Sequence, residues 1–144
     1  MKADARTEGE IMAMLRDFTD AYEKRDMERL LSCFAPDPDV MIIGTGPDEK
    51  RVGPGEIRAQ VERDWQQSES VRLEFGRTSI SASGSIAWVA ADLTFHAQAE
   101  GKRIVMTGRL TAVLEKRGDR WLWMLSHFSV PAGGQAEGES FPGE

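Results

Sequence analysis

The chain has 144 residues, enough for one domain that buries roughly two thirds of its unfolded surface without cross-links. Its 24 acidic and 18 basic residues give a net charge of −6, which opposes binding to nucleic acid or to an anionic membrane surface. The single Cys33 excludes an intramolecular disulfide, no leader opens the sequence, and no apolar run approaches the roughly 20 residues that cross a membrane, so a cytoplasmic domain with small-molecule or protein partners is expected.

Thr7 and Glu10 have the spacing of a capping box, and Ile11, Met14, Leu15, Phe18 and Tyr22 then recur along one helical face, which predicts a helix over 8–24. Asp26 is placed to cap a second, short helix with Met27, Leu30, Leu31 and Phe34 inward, ended by Pro36 and Pro38. Residues 40–43 form an apolar run suited to a buried strand, and 44–53 read as a polar, turn-rich loop. Pro54 fits the first position of a third helix whose apolar face carries Ile57, Val61 and Trp65. The period then becomes two: Val71, Leu73 and Phe75 share a side, and the alternation slips after Gly76, which predicts a bulge there. Three long strands follow over 85–97, 103–116 and 120–130, joined by turns at 99–101 and 117–119. Residues 1–7 are expected to be a flexible lead-in, 8–131 a single domain, and 132–144, poor in hydrophobic residues, a disordered tail. Helices followed by adjacent strands define an α+β domain, a strongly bent antiparallel sheet with three helices packed on its concave face.

These residues also carry a resemblance. The junction Tyr22-Glu23-Lys24-Arg25-Asp26, the exit Phe34-Ala35-Pro36-Asp37, the Val52-Gly53 approach to the third helix, and the Gly118-Asp119-Arg120-Trp121 hairpin followed by His127-Phe128-Ser129 resemble SnoaL-like members of the nuclear transport factor 2-like superfamily. The resemblance implies a cone with an apolar cavity between helices and sheet, commonly a homodimer through the outer sheet face. It implies no single chemistry, because that superfamily includes ketosteroid isomerases, epoxide hydrolases, dehydratases and polyketide cyclases as well as non-catalytic association domains. The steroid-isomerase pattern is not matched: Phe18 stands at the position of its tyrosine, Ile42 or Ile43 at that of its base, and Gly108 at that of its sheet carboxyl.

Face assignment follows from hairpin register. A three-residue loop at 99–101 sets Asp92 opposite Gly108 and puts Trp88, Ala90, Asp92, Thr94, His96, Ile104, Met106, Gly108, Leu110 and Ala112 on one face; a three-residue loop at 117–119 adds Met124, Ser126 and Phe128. The resemblance assigns that face to the cavity, which Phe18, Tyr22, Phe34 and Trp65 would wall from the helices. The other face, with Val89, Leu93, Phe95, Val105, Arg109, Thr111, Trp123, Leu125, His127 and Ser129, is then the dimer face. Two-residue loops would exchange the faces of part of the sheet.

On the three-residue register Asp92 is the leading acid–base candidate, a carboxylate amid Ala90, Ala91 and Leu93 whose burial needs a partner or a solvated cavity. His96 is the second candidate, roughly 13 Å farther along the strand and out of contact with Asp92. Arg109, His127 and Ser129 form a polar cluster read as part of the dimer interface. No histidine, cysteine and carboxylate spacing suggests a metal, and no cofactor is expected. The chain therefore reads as a domain that binds a small apolar or aromatic molecule, with isomerase, cyclase or hydrolase chemistry at Asp92; the alternative is a non-catalytic homodimerisation or ligand-sensing module.

Overall fold

The computed structural model describes residues 1–143. Helix α1 spans Ala5–Glu23, α2 Met27–Leu31 and α3 Pro54–Gln66; the strands are β1 Met41–Ile43, β2 Lys50–Val52, β3 Ser70–Ser83, β4 Ile86–Ala99, β5 Lys102–Arg117 and β6 Arg120–Ser129. They form one six-stranded sheet in the order β2-β1-β6-β5-β4-β3. Every pairing is antiparallel except β1 with β6, so the sheet is mixed. The core lies between the helices and the inner sheet face, around Ile11, Leu15, Leu30, Ile57, Val89, Leu114 and Trp123.

Helix α1 is capped three residues before Thr7, the expected capping residue. The Asp4 carboxylate caps it by accepting from the Thr7 amide at 2.8 Å, while Ala3 donates to the Ile80 carbonyl at 3.1 Å and ties the start of the chain to β3. Glu10, freed from capping, accepts from the Trp121 indole at 2.9 Å and from Lys116 at 3.0 Å, which fastens α1 to β5 and β6. Asp26 caps α2 as its position predicts. Arg25, in the left-handed region at φ 57°, makes the tight turn between the two helices, and its guanidinium donates to the carbonyls of Trp65 (2.6 Å) and Ser68 (2.9 Å) at the end of α3. Within the stretch expected to be loop, residues 50–52 pair with β1, because their extended backbone completes the sheet edge.

The register of β3 against β4 shifts between Phe75 and Thr78, the bulge foreshadowed by the broken alternation. The next hairpin differs from the expectation. Glu100 at φ 52° and Gly101 at φ 72° form a two-residue turn, so Leu93, not Asp92, faces Gly108, and Asp92 faces Arg109. This one-residue slip turns every β4 side chain over: Ala87, Val89, Ala91, Leu93, Phe95 and Ala97 point to the helices, and Trp88, Ala90, Asp92, Thr94 and His96 point away.

The β5–β6 hairpin also has a two-residue turn, at Gly118 and Asp119, and a bulge after Val113 shifts the register by one residue more. In the upper half the two shifts add to two residues, which restores the expected faces, with Leu110 opposite Phe128 and Ala112 opposite Ser126 on the inner side. In the lower half only the shift of the turn acts, and Trp123, expected on the dimer face, is 2 % exposed in the core. Gly108 offers no open space beside a ligand. A Cβ there would lie 2.2 Å from the Ser129 carbonyl oxygen and 2.9 Å from the Phe128 ring. Gly108→Ala is accordingly expected to destabilise the domain by about 2 kcal/mol through overpacking; a denaturant titration showing no loss would contradict the close approach of β5 and β6.

Candidate functional site

The concave side of the sheet and the helices enclose a cavity of about 400 Å³. Its body is apolar and aromatic: Phe18 and Tyr22 from α1, Phe34, Val61 from α3, Val71, Leu73 and Phe75 from β3, Leu93, Phe95 and Ala97 from β4, Ile104, Met106 and Leu110 from β5, and Trp123, Ser126 and Phe128 from β6. Phe95 and Phe128 pack ring to ring at 4.7 Å, and Phe18 packs on Trp123 at 5.2 Å, which fixes the wall.

One end of the cavity is polar. The Asp64 carboxylate accepts from the Tyr22 hydroxyl at 2.7 Å through Oδ2 and from Gln60 Nε2 at 2.8 Å through Oδ1. Gln60, 5 % exposed, also donates to Glu49 Oε1 at 3.2 Å, while its own Oε1 accepts from Arg51 Nε at 3.0 Å. Two carboxylates on its amide nitrogen and two guanidinium groups on its oxygen, those of Arg51 and, at 3.3 Å, Arg63, allow one orientation of that side chain. Arg63 then clamps the loop between β1 and β2, donating to Asp48 at 2.6 Å and Glu49 at 3.2 Å, and Glu49 Oε2 receives the Gly46 amide at 2.8 Å.

Asp64 forms no ion pair among the described residues; both of its side-chain hydrogen-bond partners are neutral. Burial therefore dominates and raises its pKa above the ordinary aspartate value, against the lowering effect of the two hydrogen bonds. Burial first, and then the Asp64 charge, push the Tyr22 hydroxyl well above the ordinary tyrosine value. The pair is thus a carboxyl group that holds its proton more tightly than an ordinary aspartate and a phenol that keeps one, facing an apolar cavity.

The sequence-derived candidates divide. Phe18, Tyr22, Phe34, Met106, Leu110, Ser126 and Phe128 line the cavity. Trp65 lies beside it, edge-on to Tyr22 at 5.8 Å. Asp92, Trp88 and Thr94 do not reach it. Asp92 and Trp88 are exposed on the convex face and Thr94 hydrogen-bonds Thr107 there, so the inward placement expected for them is corrected by the Glu100–Gly101 turn. His96 also leaves the cavity, standing opposite Arg72 and Val105. Met124 lies at the β6 bulge, 4.0 Å from Arg117. Arg109, Thr111, Leu125 and His127 are exposed on the convex face, where Thr111, not Arg109, faces His127, and Ser129, half-buried, faces Arg109. Cys33 is buried, with its thiol pushed up to about 11, and is no nucleophile. Among the described residues no group of three or more His, Cys, Asp or Glu side chains could hold a metal, and no helix is long and apolar enough to cross a membrane.

The residues missed from sequence are Asp64, Gln60, Glu49 and Arg51. A signal for two of them existed: Ile57, Gln60, Val61 and Asp64 follow the i, i+3, i+4, i+7 spacing of an inward helical stripe, so the polar pair sits on the buried side.

The raised pKa of Asp64 makes its sign explicit. Below the ordinary aspartate value the carboxyl is protonated whether the chain is folded or unfolded; as pH rises toward the higher folded value the unfolded chain loses the proton first, and folding stability falls. Asp64→Asn removes this decline. Its stability relative to wild type is therefore expected to be greater at pH 7 than at pH 4, by denaturant unfolding at both; a constant difference would contradict the raised pKa.

No curated protein matches the chain. Among solved structures, a nuclear transport factor 2-like superfamily protein from Salmonella enterica aligns with a TM-score of 0.84 at 21% identity, over 96% of this chain and 100% of that one. A protein from Novosphingobium aromaticivorans, provisionally described as an aromatic ring hydroxylase, aligns at 0.82 and 13% identity over 91% and 93% of the two chains. A provisionally described dehydratase of the nuclear transport factor 2-like family from Streptomyces avermitilis aligns at 0.80 and 18% identity over 90% and 100%. The model of the SnoaL-like domain matches residues 11–133, the helices, the cavity and the whole sheet, and the chain belongs to that family.

Proposed function

We propose that this domain binds a small, largely apolar molecule in the concave cavity, with an aromatic or alicyclic body against Phe18, Phe95 and Phe128 and its polar group at Asp64. The observation that carries this reading is the joining of a 400 Å³ aromatic cavity to one buried polar cluster. Pockets of this size with few convergent polar groups are the usual form of small-molecule sites. The reaction class the pair supports is proton transfer, with Asp64 exchanging the proton and Tyr22 and Gln60 holding its two oxygens. Similarity in fold to a protein provisionally described as an aromatic ring hydroxylase accords with a cyclic ligand body. Asp92 has no part in this reading, since it stands on the other face of the sheet.

The test is a mass-spectrometric search for a compound released when gently purified protein is denatured. Wild type is expected to release one, and Ala97→Phe, which fills the cavity from β4, to release none while still folding. Equal release from both proteins would place the compound elsewhere, and no release from either would count against an occupied cavity.

A second reading concerns assembly. Val52, Met41, Leu125, Val113 and Trp88 are successive cross-strand neighbours from β2 to β4, forming an apolar row across the convex face in which Val52 is 38 % exposed and Leu125 and Trp88 are each 39 % exposed. Such a row supports self-association through the sheet. The fold is also shared, at a TM-score of 0.77 and 22% identity, with a Xanthomonas campestris protein provisionally described as a calcium/calmodulin-dependent protein kinase II association domain. Sedimentation of wild type is expected to give twice the chain mass, and Trp88→Asp to give a monomer; a monomeric wild type at tens of micromolar would remove this reading.

A further inference from the structure

At the polar end of the cavity one carboxylate has no cationic partner of its own. Asp48, Glu49 and Asp64 supply three carboxylates, and Arg51, Arg63 and Arg25 three guanidinium groups, but Arg25 is taken up by the Trp65 and Ser68 carbonyls. The pairing is uneven. Arg63 is bound to Asp48 and Glu49, and Arg51 donates to the Gln60 oxygen with a loose 3.9 Å approach to Asp48. The carboxylate left with neutral side-chain partners is Asp64, which lines the cavity together with Glu49. A carboxylate offers about four acceptor positions, of which Tyr22 and Gln60 occupy two. The donors that hold Asp64 are themselves committed. The Tyr22 hydrogen points at Oδ2, and the Gln60 amide hydrogens are shared between Asp64 and Glu49. The site thus has spare acceptors at Asp64, and the Tyr22 and Phe18 rings line the same cavity.

Resting on the cavity reading above, we infer that the ligand is a monocation, a protonated amine on an aromatic or apolar body, with Asp64 as its counter-ion. A buried carboxylate is costly when unpaired, and an ammonium group placed against it supplies the missing partner while its apolar body occupies the aromatic cavity. A neutral alcohol fills the same apolar space and donates one hydrogen bond, but leaves the charge uncompensated. An anion adds a fourth negative charge. The upward shift of the Asp64 pKa on burial agrees with a carboxylate that lacks its cation.

Three matched probes distinguish these cases: 2-(1-naphthyl)ethylamine, 2-(1-naphthyl)ethanol and 1-naphthylacetate, titrated calorimetrically at pH 7. The amine is expected to bind at least tenfold more tightly than the alcohol, with the acetate weakest, and the amine-to-alcohol ratio is expected to fall below threefold in Asp64→Asn. In wild type the ratio should also shrink as pH falls and Asp64 takes up a proton. Tyr22, Gln60, Glu49, Arg51 and Arg63 surround it, and the amine stays charged throughout, so this second measurement holds even if Asp64→Asn does not fold. Equal binding of amine and alcohol overturns the cation class and leaves the cavity reading standing. A preference that persists in folded Asp64→Asn overturns Asp64 as counter-ion. Absence of binding by all three probes overturns both.

Discussion

The two-residue turn at Glu100 and Gly101 governs what the cavity is made of. Strand side chains alternate with a period of two, so the length of that turn decides which half of β4 meets the helices. With two residues in the turn, Leu93, Phe95 and Ala97 complete an apolar wall with Met106 and Leu110 of β5; with three, a carboxylate and a histidine would stand there instead. The turn holds because Gly101 adopts positive φ without cost and Glu100 tolerates it at the tip of a long ladder. The apolar wall follows from it, and so does the restriction of cavity polarity to the α3 end.

That restriction concentrates the chemistry. Asp64, Gln60, Glu49, Arg51 and Arg63 come from α3 and the β1–β2 hairpin, and Tyr22 reaches them from α1. Arg25 locks the α1–α2 junction to the end of α3, which sets the helix–helix distance on which the Tyr22–Asp64 bond depends. A cluster of this kind favours one arrangement of its members because each hydrogen-bonding group of Gln60 has a chemically distinct partner.

Much of the fold was legible. Helical periodicity located all three helices, Asp26 and Pro54 marked two of their starts, and the broken alternation at Gly76 located the β3 bulge. The inward face of β4 was not legible, because β4 carries apolar residues of both parities: Trp88 and Ala90 on one side, Val89 and Leu93 on the other. With both faces apolar the register rested on turn length alone, and Ala99-Glu100-Gly101 accommodates either length. In β5 and β6 the shifts of the turn and the bulge add to two residues beyond the bulge, so Ser126 and Phe128 fell on the right side while Trp123 did not. Asp64 was hidden for a different reason: a helical acid reads as solvated until the strand packed against it is known, and the segment around Arg51 read as loop.

The most direct test of this account is a crystal structure of the protein soaked with 2-(1-naphthyl)ethylamine. The account predicts the ring between α1 and β4, against Phe18 and Phe95, with the nitrogen within about 3 Å of an Asp64 carboxylate oxygen. A ring bound on the convex face, or a nitrogen turned away from Asp64 toward the Ile104 rim, would contradict it.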